Sequence, residues 1–311
     1  TTQSLVVTSE LAKGAAKASC ENKAVESKAS FGRIFKLSAL SLLLLDVTST
    51  AYAASSAPAG AGDGKYEAIA LGARSSAAPG AVVIGAGSIA TGNIKGVAIG
   101  HTVYANGQDA VAIGSNSHAV TQGVALGRKA TASGESSVAA GNEATASGTK
   151  SLAAGNNAKA KGTGTIALGD GAVTSNDTDA IALGSGANAS AINALALGKS
   201  ASATKGSAIA LGPRAKANAA AGIALGMDAN VSTENSVALG AGSTADARNA
   251  LTSIQVSGVE VGNNGKASGA AVLAVGNSTA ARQVQYVSAG LIGADSTDAI
   301  NGSQLYRVIT A

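Results

Sequence analysis

The apolar positions of this chain fall in short bursts that return at a fixed interval. Ile69-Ala70-Leu71-Gly72 comes back as Val97-Ala98-Ile99-Gly100, Val111-Ala112-Ile113-Gly114, Val124-Ala125-Leu126-Gly127 and Ile166-Ala167-Leu168-Gly169. Further copies are Ile181–Gly184, Leu195–Gly198, Ile209–Gly212, Ile223–Gly226 and Val237–Gly240, with weaker ones at Val82–Gly85, Val138–Gly141 and Leu152–Gly155. From Gly72 to Gly240 the twelve intervals average 14 residues. A short fixed period of this kind predicts stacked repeats.

Each triplet alternates with period two, so its outer residues face one way and the alanine the other. Three residues are too few for a helix, and the triplet reads as a strand closed by a glycine turn. Three and five residues past each glycine come small residues, such as Ala130 and Ala132 or Ala158 and Ala160. They predict a second strand with small groups pointing inward. The expectation is an all-β, parallel solenoid of 14-residue coils, about 4.8 Å apart and about 60 Å long in all. On this reading the flanking Val, Ile and Leu fill the interior and the central alanine faces out. A solvated site would accept Thr, Lys or Glu, which suit strands better than alanine. Ala70, Ala98, Ala112, Ala125, Ala167, Ala182, Ala196, Ala210, Ala224 and Ala238 are therefore expected to form a subunit interface.

Before the repeats, Arg33 and Lys36 precede an apolar run at Leu37–Leu45, and Ala51-Tyr52-Ala53 offers a cleavage site. Residues 1–53 read as an export leader, too short in its apolar part to span a bilayer. Residues 54–67 are rich in Ala, Ser, Gly and Pro and read as a flexible segment. The head repeats occupy 68–245, an irregular insertion or hairpin 246–272, a last coil and neck 273–298, and the start of a helix 299–311. Ile254, Val256, Val259 and Val261 alternate, with Asn263-Asn264-Gly265 as the expected turn. Arg282–Gly290 reads as a further short strand, and Ser296-Thr297-Asp298 offer caps for the helix.

Composition changes this picture little. The single cysteine, Cys20, lies in the leader, so the processed chain has neither disulfides nor thiol chemistry. Beyond the leader 16 Lys and Arg stand against 14 Asp and Glu, spread one or two per coil, which reads as a solvated surface and not as a nucleic-acid footprint.

The repeated motif, in its full form Asn235-Ser236-Val237-Ala238-Leu239-Gly240, resembles the head of a YadA-like trimeric autotransporter adhesin. Arg282-Gln283-Val284-Gln285-Tyr286-Val287-Ser288-Ala289-Gly290, followed by Asp295 through Leu305, is similar to that family's neck; Arg282, Val287, Gly290, Asp298, Asn301 and Leu305 carry the likeness. Thr1 through Gly14 resembles the family's extended signal-peptide region. The resemblance implies a left-handed parallel β-roll, a homotrimer, a neck leading into a coiled-coil stalk, and an outer-membrane anchor expected C-terminal to this sequence. It also implies display on the bacterial surface and attachment to a host extracellular-matrix protein or cell-surface receptor. The alternative is a structural spacer whose ligand-binding part lies elsewhere.

No catalytic, cofactor or metal site is expected. His101 and His118 have no partner signature, and the many Gly-x-Gly runs lack the strand–loop–helix setting of a phosphate loop. The period of 14 argues against hexapeptide acyltransferases, whose coils are longer. The residue four beyond each repeat glycine is expected to project outward, and the column is too mixed for an ice-binding array. Ile89, Tyr104 and His118 stand on three consecutive rungs of it and form the candidate ligand patch.

Overall fold

The computed structural model describes residues 68–91, 95–247, 271–293 and 295–310, and the backbone of 254–256 and 259–261. The expected leader, the 54–67 segment, the Asn263–Gly265 turn and most of the 246–272 insertion lie outside these residues.

Two parallel sheets run along the stack, built from alternate strands of the chain. The first has 14 strands, the apolar triplets from Ile69–Leu71 to Val237–Leu239 and then Leu273–Ala274. The second has 13, from Ser76–Ala77 to Thr244–Ala245. Register is constant, so equivalent residues stack: Ala153 lies beside Ala139 and Ala167, and Ile166 beside Leu152 and Ile181. The backbone ladder runs from coil to coil, with Val138 N–H donating to Ser151 O at 2.9 Å and Gly141 N–H to Leu126 O at 2.8 Å.

The strand period is as the sequence predicts, but its two faces are exchanged. The central alanines point into the coil and are closed off: Ala98, Ala112, Ala167, Ala182 and Ala210 have no exposed surface. The expected interface alanines, including Ala70, Ala125, Ala196, Ala224 and Ala238, are thus interior residues, and no second chain can reach them. The flanking residues face out; Ile69 is 49% exposed, Leu168 41% and Leu239 43%. The reason is space. Each coil places four inward side chains between two short strands and two tight turns, such as Ser151, Ala153, Ala158 and Ala160 in one coil and Ala180, Ala182, Ala187 and Ala189 in another. Such a lumen holds methyl-sized groups, and Leu or Ile would overpack it.

Each coil turns twice, through short bends closed by bonds such as Ser137 N–H to Gly134 O and Ala130 N–H to Gly127 O, both 3.2 Å. Non-glycine residues hold the left-handed position of these bends, among them Lys129, Ser136, Glu143 and Lys150 at φ of 55–58°. The repeat glycines do something else. Gly141 has φ 139°, and a Cβ there would lie 2.4 Å from Gly155 O on the next coil. Backbone stacks on backbone down this column, and glycine is required on both counts.

Ile254–Val256 pairs antiparallel with Val259–Val261, with Val256 opposite Val259. The chain reverses between 256 and 259, upstream of the predicted Asn263–Gly265 turn. Leu273–Ala274 then rejoins the first sheet beside Val237–Ala238. Arg282–Gly290 is irregular and not a strand. Helix α1, Gly302–Thr310, is capped by Asn301 and not by Ser296–Asp298.

Candidate ligand and assembly surfaces

Exchanging the faces of the first sheet places two columns side by side on its outside, all Val, Ile and Leu except for Ala140 and Ala154. Ile69, Leu71, Ile84, Ile113, Leu126 and Leu168 are each 38–49% exposed, and the face continues through Leu183, Leu225 and Leu239. Contiguous apolar surface on this scale marks an interaction face.

The second sheet has the opposite character. Its central alanines, such as Ala132, Ala146 and Ala160, are buried, and the residues on either side of each face out. The three candidate patch residues lie here in register, with Ile89 beside Tyr104 and Tyr104 beside His118. The rings of Tyr104 and His118 meet edge to face, 6.3 Å between centroids and 71° between planes. Tyr104 is 38% exposed, whereas His118 is half-buried and its Nε2 is covered without a hydrogen-bond partner. His101 sits apart on a turn, its Nδ1 3.0 Å from Thr102 Oγ1.

The turns carry polar ladders that sequence spacing alone did not disclose. Asn142 Nδ2 donates to Asn156 Oδ1, and Asn156 Nδ2 to Asp170 Oδ1, both at 2.8 Å and one coil apart. Arg214 grips Asp228 with two bonds of 2.7 and 2.6 Å. Glu143 accepts from Lys129 at 3.4 Å and Arg128 at 3.1 Å. The lysine and then the arginine hold its carboxyl below the usual carboxylate range, and Arg214 does the same for Asp228. These pairs are solvated and screened, so they pin register more than they stabilise. A signal was available: residues 14 or 15 apart on one turn column become neighbours.

Below the last coil the neck residues are brought together by hydrogen bonds. Arg282 Nη1 donates to Ser243 Oγ and Val275 O, both 2.9 Å, and Nη2 to Ala241 O. Gly240 leaves room for this guanidinium, since a Cβ there would lie 3.2 Å from Arg282 Cζ. An open cleft of about 550 Å³ beside it is lined by Thr244, Asp246, Asn277 and Arg282 among others. Asn301 Nδ2 donates to Val287 O at 3.0 Å, and Leu291 N–H to Asp298 Oδ2 at 2.9 Å. Gln304 does two jobs: its Oε1 accepts from Gly290 N–H and Asn301 N–H, and its Nε2 donates to Gly290 O at 2.6 Å. With Asn301 Oδ1 accepting from Gln304 N–H at 3.2 Å, the pair forms a capping box. Leu305 remains 57% exposed, as do Val308 and Ile309 at 70% and 73%.

Among the described residues no helix is long and apolar enough to cross a membrane. Nor do three or more His, Cys, Asp or Glu side chains converge where they could hold a metal ion.

The coils match a known repeat. The YadA head domain repeat is found over residues 105–120, 121–144, 146–172, 178–201, 203–229 and 234–251. Similar solved structures include the C-terminal YadA-like domain of a Burkholderia pseudomallei protein, 35% identical, covering 30% of this chain at a TM-score of 0.29. This chain spans 45% of the length of that domain. The collagen-binding domain of the Yersinia adhesin YadA is also similar, at 19% identity, covering 77% of this chain and 85% of its own at a TM-score of 0.20. No curated protein matches. The repeat match and the coil geometry agree: residues 105–251 carry YadA head domain repeats.

Proposed function

We propose that this head works as a homotrimer on the bacterial cell surface, attaching the cell to a host extracellular-matrix protein or cell-surface receptor. One observation carries the reading, the aliphatic face of the first sheet, which runs the length of the stack with only Ala140 and Ala154 as small residues in it. Leu168 and Leu183 are 41% and 36% exposed, and each forgoes about 0.5–1 kcal/mol of burial free energy while that surface stays in water. Two further copies laid against this face would recover it and would leave the second sheet outward on all three subunits. Repeated weak contacts on three parallel stacks then add avidity. The exposed apolar positions of α1, Leu305, Val308 and Ile309, support the same arrangement continuing as a three-stranded stalk. On this reading the protein is exported, anchored through a segment C-terminal to this sequence, and binds without catalysis.

The test is the solution mass of the chain by light scattering over a dilution series, beside the double variant Leu168→Glu/Leu183→Glu. These residues are paired on adjacent rungs. A trimer that the variant reduces to a folded monomer supports the interface. A wild-type monomer at every concentration would sink it.

A further inference from the structure

The second sheet is uneven along its length. On its first six strands the leading outward position reads Ser76, Ile89, Tyr104, His118, Thr131 and Thr145, each beside the next. The companion outward column, running through Thr91 and Asn106 to Ser147, likewise has no Lys, Arg, Asp or Glu. Charge enters only on the seventh rung, with Lys159 and Lys161. The result is a strip with no Lys, Arg, Asp or Glu at its outward strand positions and one imidazole, that of His118, about 24 Å long at about 4.8 Å per rung. Within it Thr91 Oγ1 donates to Asn106 Oδ1 at 3.0 Å on the exposed surface, next to the Tyr104–His118 ring pair.

We propose that this strip binds a neutral glycan chain, and so names the ligand class for the adhesin reading, on which it rests. The chemistry favours that occupant in three ways. Hydroxyls and carboxamides both donate and accept, as sugar hydroxyls require. The exposed ring of Tyr104 offers an apolar surface with a polar tip, suited to the C–H face of a pyranose. The rung spacing is close to the length of one sugar in an extended β-linked chain, so successive sugars meet successive rungs. On the strand positions a sialylated or sulfated chain would find no lysine or arginine before Lys159; nearer cations such as Arg74 and Lys129 stand on the adjoining turns and not on the strip. A protein ligand would want a deeper cluster of aromatic and arginine anchors than Ile89 and Tyr104 provide.

The experiment measures binding of the 311-residue chain to neutral cello-, chito- and galacto-oligosaccharides, to sialylated and sulfated ones, and to matrix proteins and cultured cells. Tyr104→Ala, Tyr104→Phe and Lys159→Ala are compared, with circular dichroism checking the coils. The expected result is neutral-oligosaccharide binding that survives salt of about 0.5 M. Tyr104→Ala should lower it about tenfold or more, with Tyr104→Phe and Lys159→Ala close to wild type. Binding only to charged glycans, or loss on Lys159→Ala, overturns the proposal in favour of a polyanion. Matrix-protein binding that depends on Tyr104 without sugar binding keeps the surface and overturns the ligand class. Attachment to cells that ignores both Tyr104 and removal of neutral glycans overturns the strip while the adhesin reading stands. Attachment to nothing sinks that reading itself.

Discussion

The coils and the neck satisfy themselves in different ways. Between residues 68 and 247 the lumen is closed by the chain's own methyl groups, and alanines on both sheets have no exposed surface. Among the described residues between 271 and 310 none is buried; Leu291, Ile292 and Ile300 are 63–71% exposed, and Tyr286 wholly so. What order the neck has comes from side chain–backbone hydrogen bonds at Arg282, Asp298, Asn301 and Gln304. The coils thus hold an interior that a single chain can close, whereas the neck supplies only a polar frame and leaves its apolar side chains exposed. Stability should follow the same division.

The largest effect is expected in the coils. Gly169→Ala forces alanine to φ 135° and sets its Cβ 2.6 Å from the Gly184 carbonyl. It should cost about 3 kcal/mol or more, seen as a large drop in thermal midpoint or as insoluble chain. A wild-type midpoint would mean that the coils slide past one another, and the rigid half of the comparison would fail.

The lumen itself can be probed next. Val231 fills a position that is alanine in most coils, and Gly222 stands across from it where most others have Ala, Ser or Thr; a Cβ on Gly222 would lie 2.8 Å from Val231 Cγ1. Gly222→Ala should therefore destabilise by about 1–3 kcal/mol, and adding Val231→Ala should restore part of the loss. Additive losses in the double-mutant cycle would show that the two residues do not share space.

In the neck, Gln304→Ala removes the bonds to Gly290 and half of the capping box. The expected cost is about 1 kcal/mol, read as faster amide exchange in 287–305 with the coils unchanged. Loss of protection in the coils as well would show that the two regions unfold together.

The smallest effect is at the ion pairs. The carboxyls of Glu143 and Asp228 are held low, so their contribution is present above the ordinary carboxylate range and fades as pH falls through their lowered values. Both are solvated, so Glu143→Gln should shift the neutral-pH midpoint barely and flatten its fall on acidification. A large neutral-pH shift would mean that these ladders hold the coils and do not merely align them.

Sequence alone determined the coil length, the strand positions, the glycine column and the two-sheet path, because period and alternation are local properties that each repeat states again. It also placed Ile89, Tyr104 and His118 on one ladder, since counting from a fixed glycine gives register. Which face of the triplet points inward was decided only by the tertiary structure. Alternation says that Ala182 and Ile181 oppose each other, but not which side has room. The lumen of a 14-residue coil is too narrow for isoleucine, so the larger side chains are driven outward against the usual rule that they are buried. Helix capping by Asn301 and Gln304, and the reach of Arg282 to Ser243 across 39 residues, were likewise settled by folding. Such bonds depend on where distant backbone ends up, and no local pattern records that.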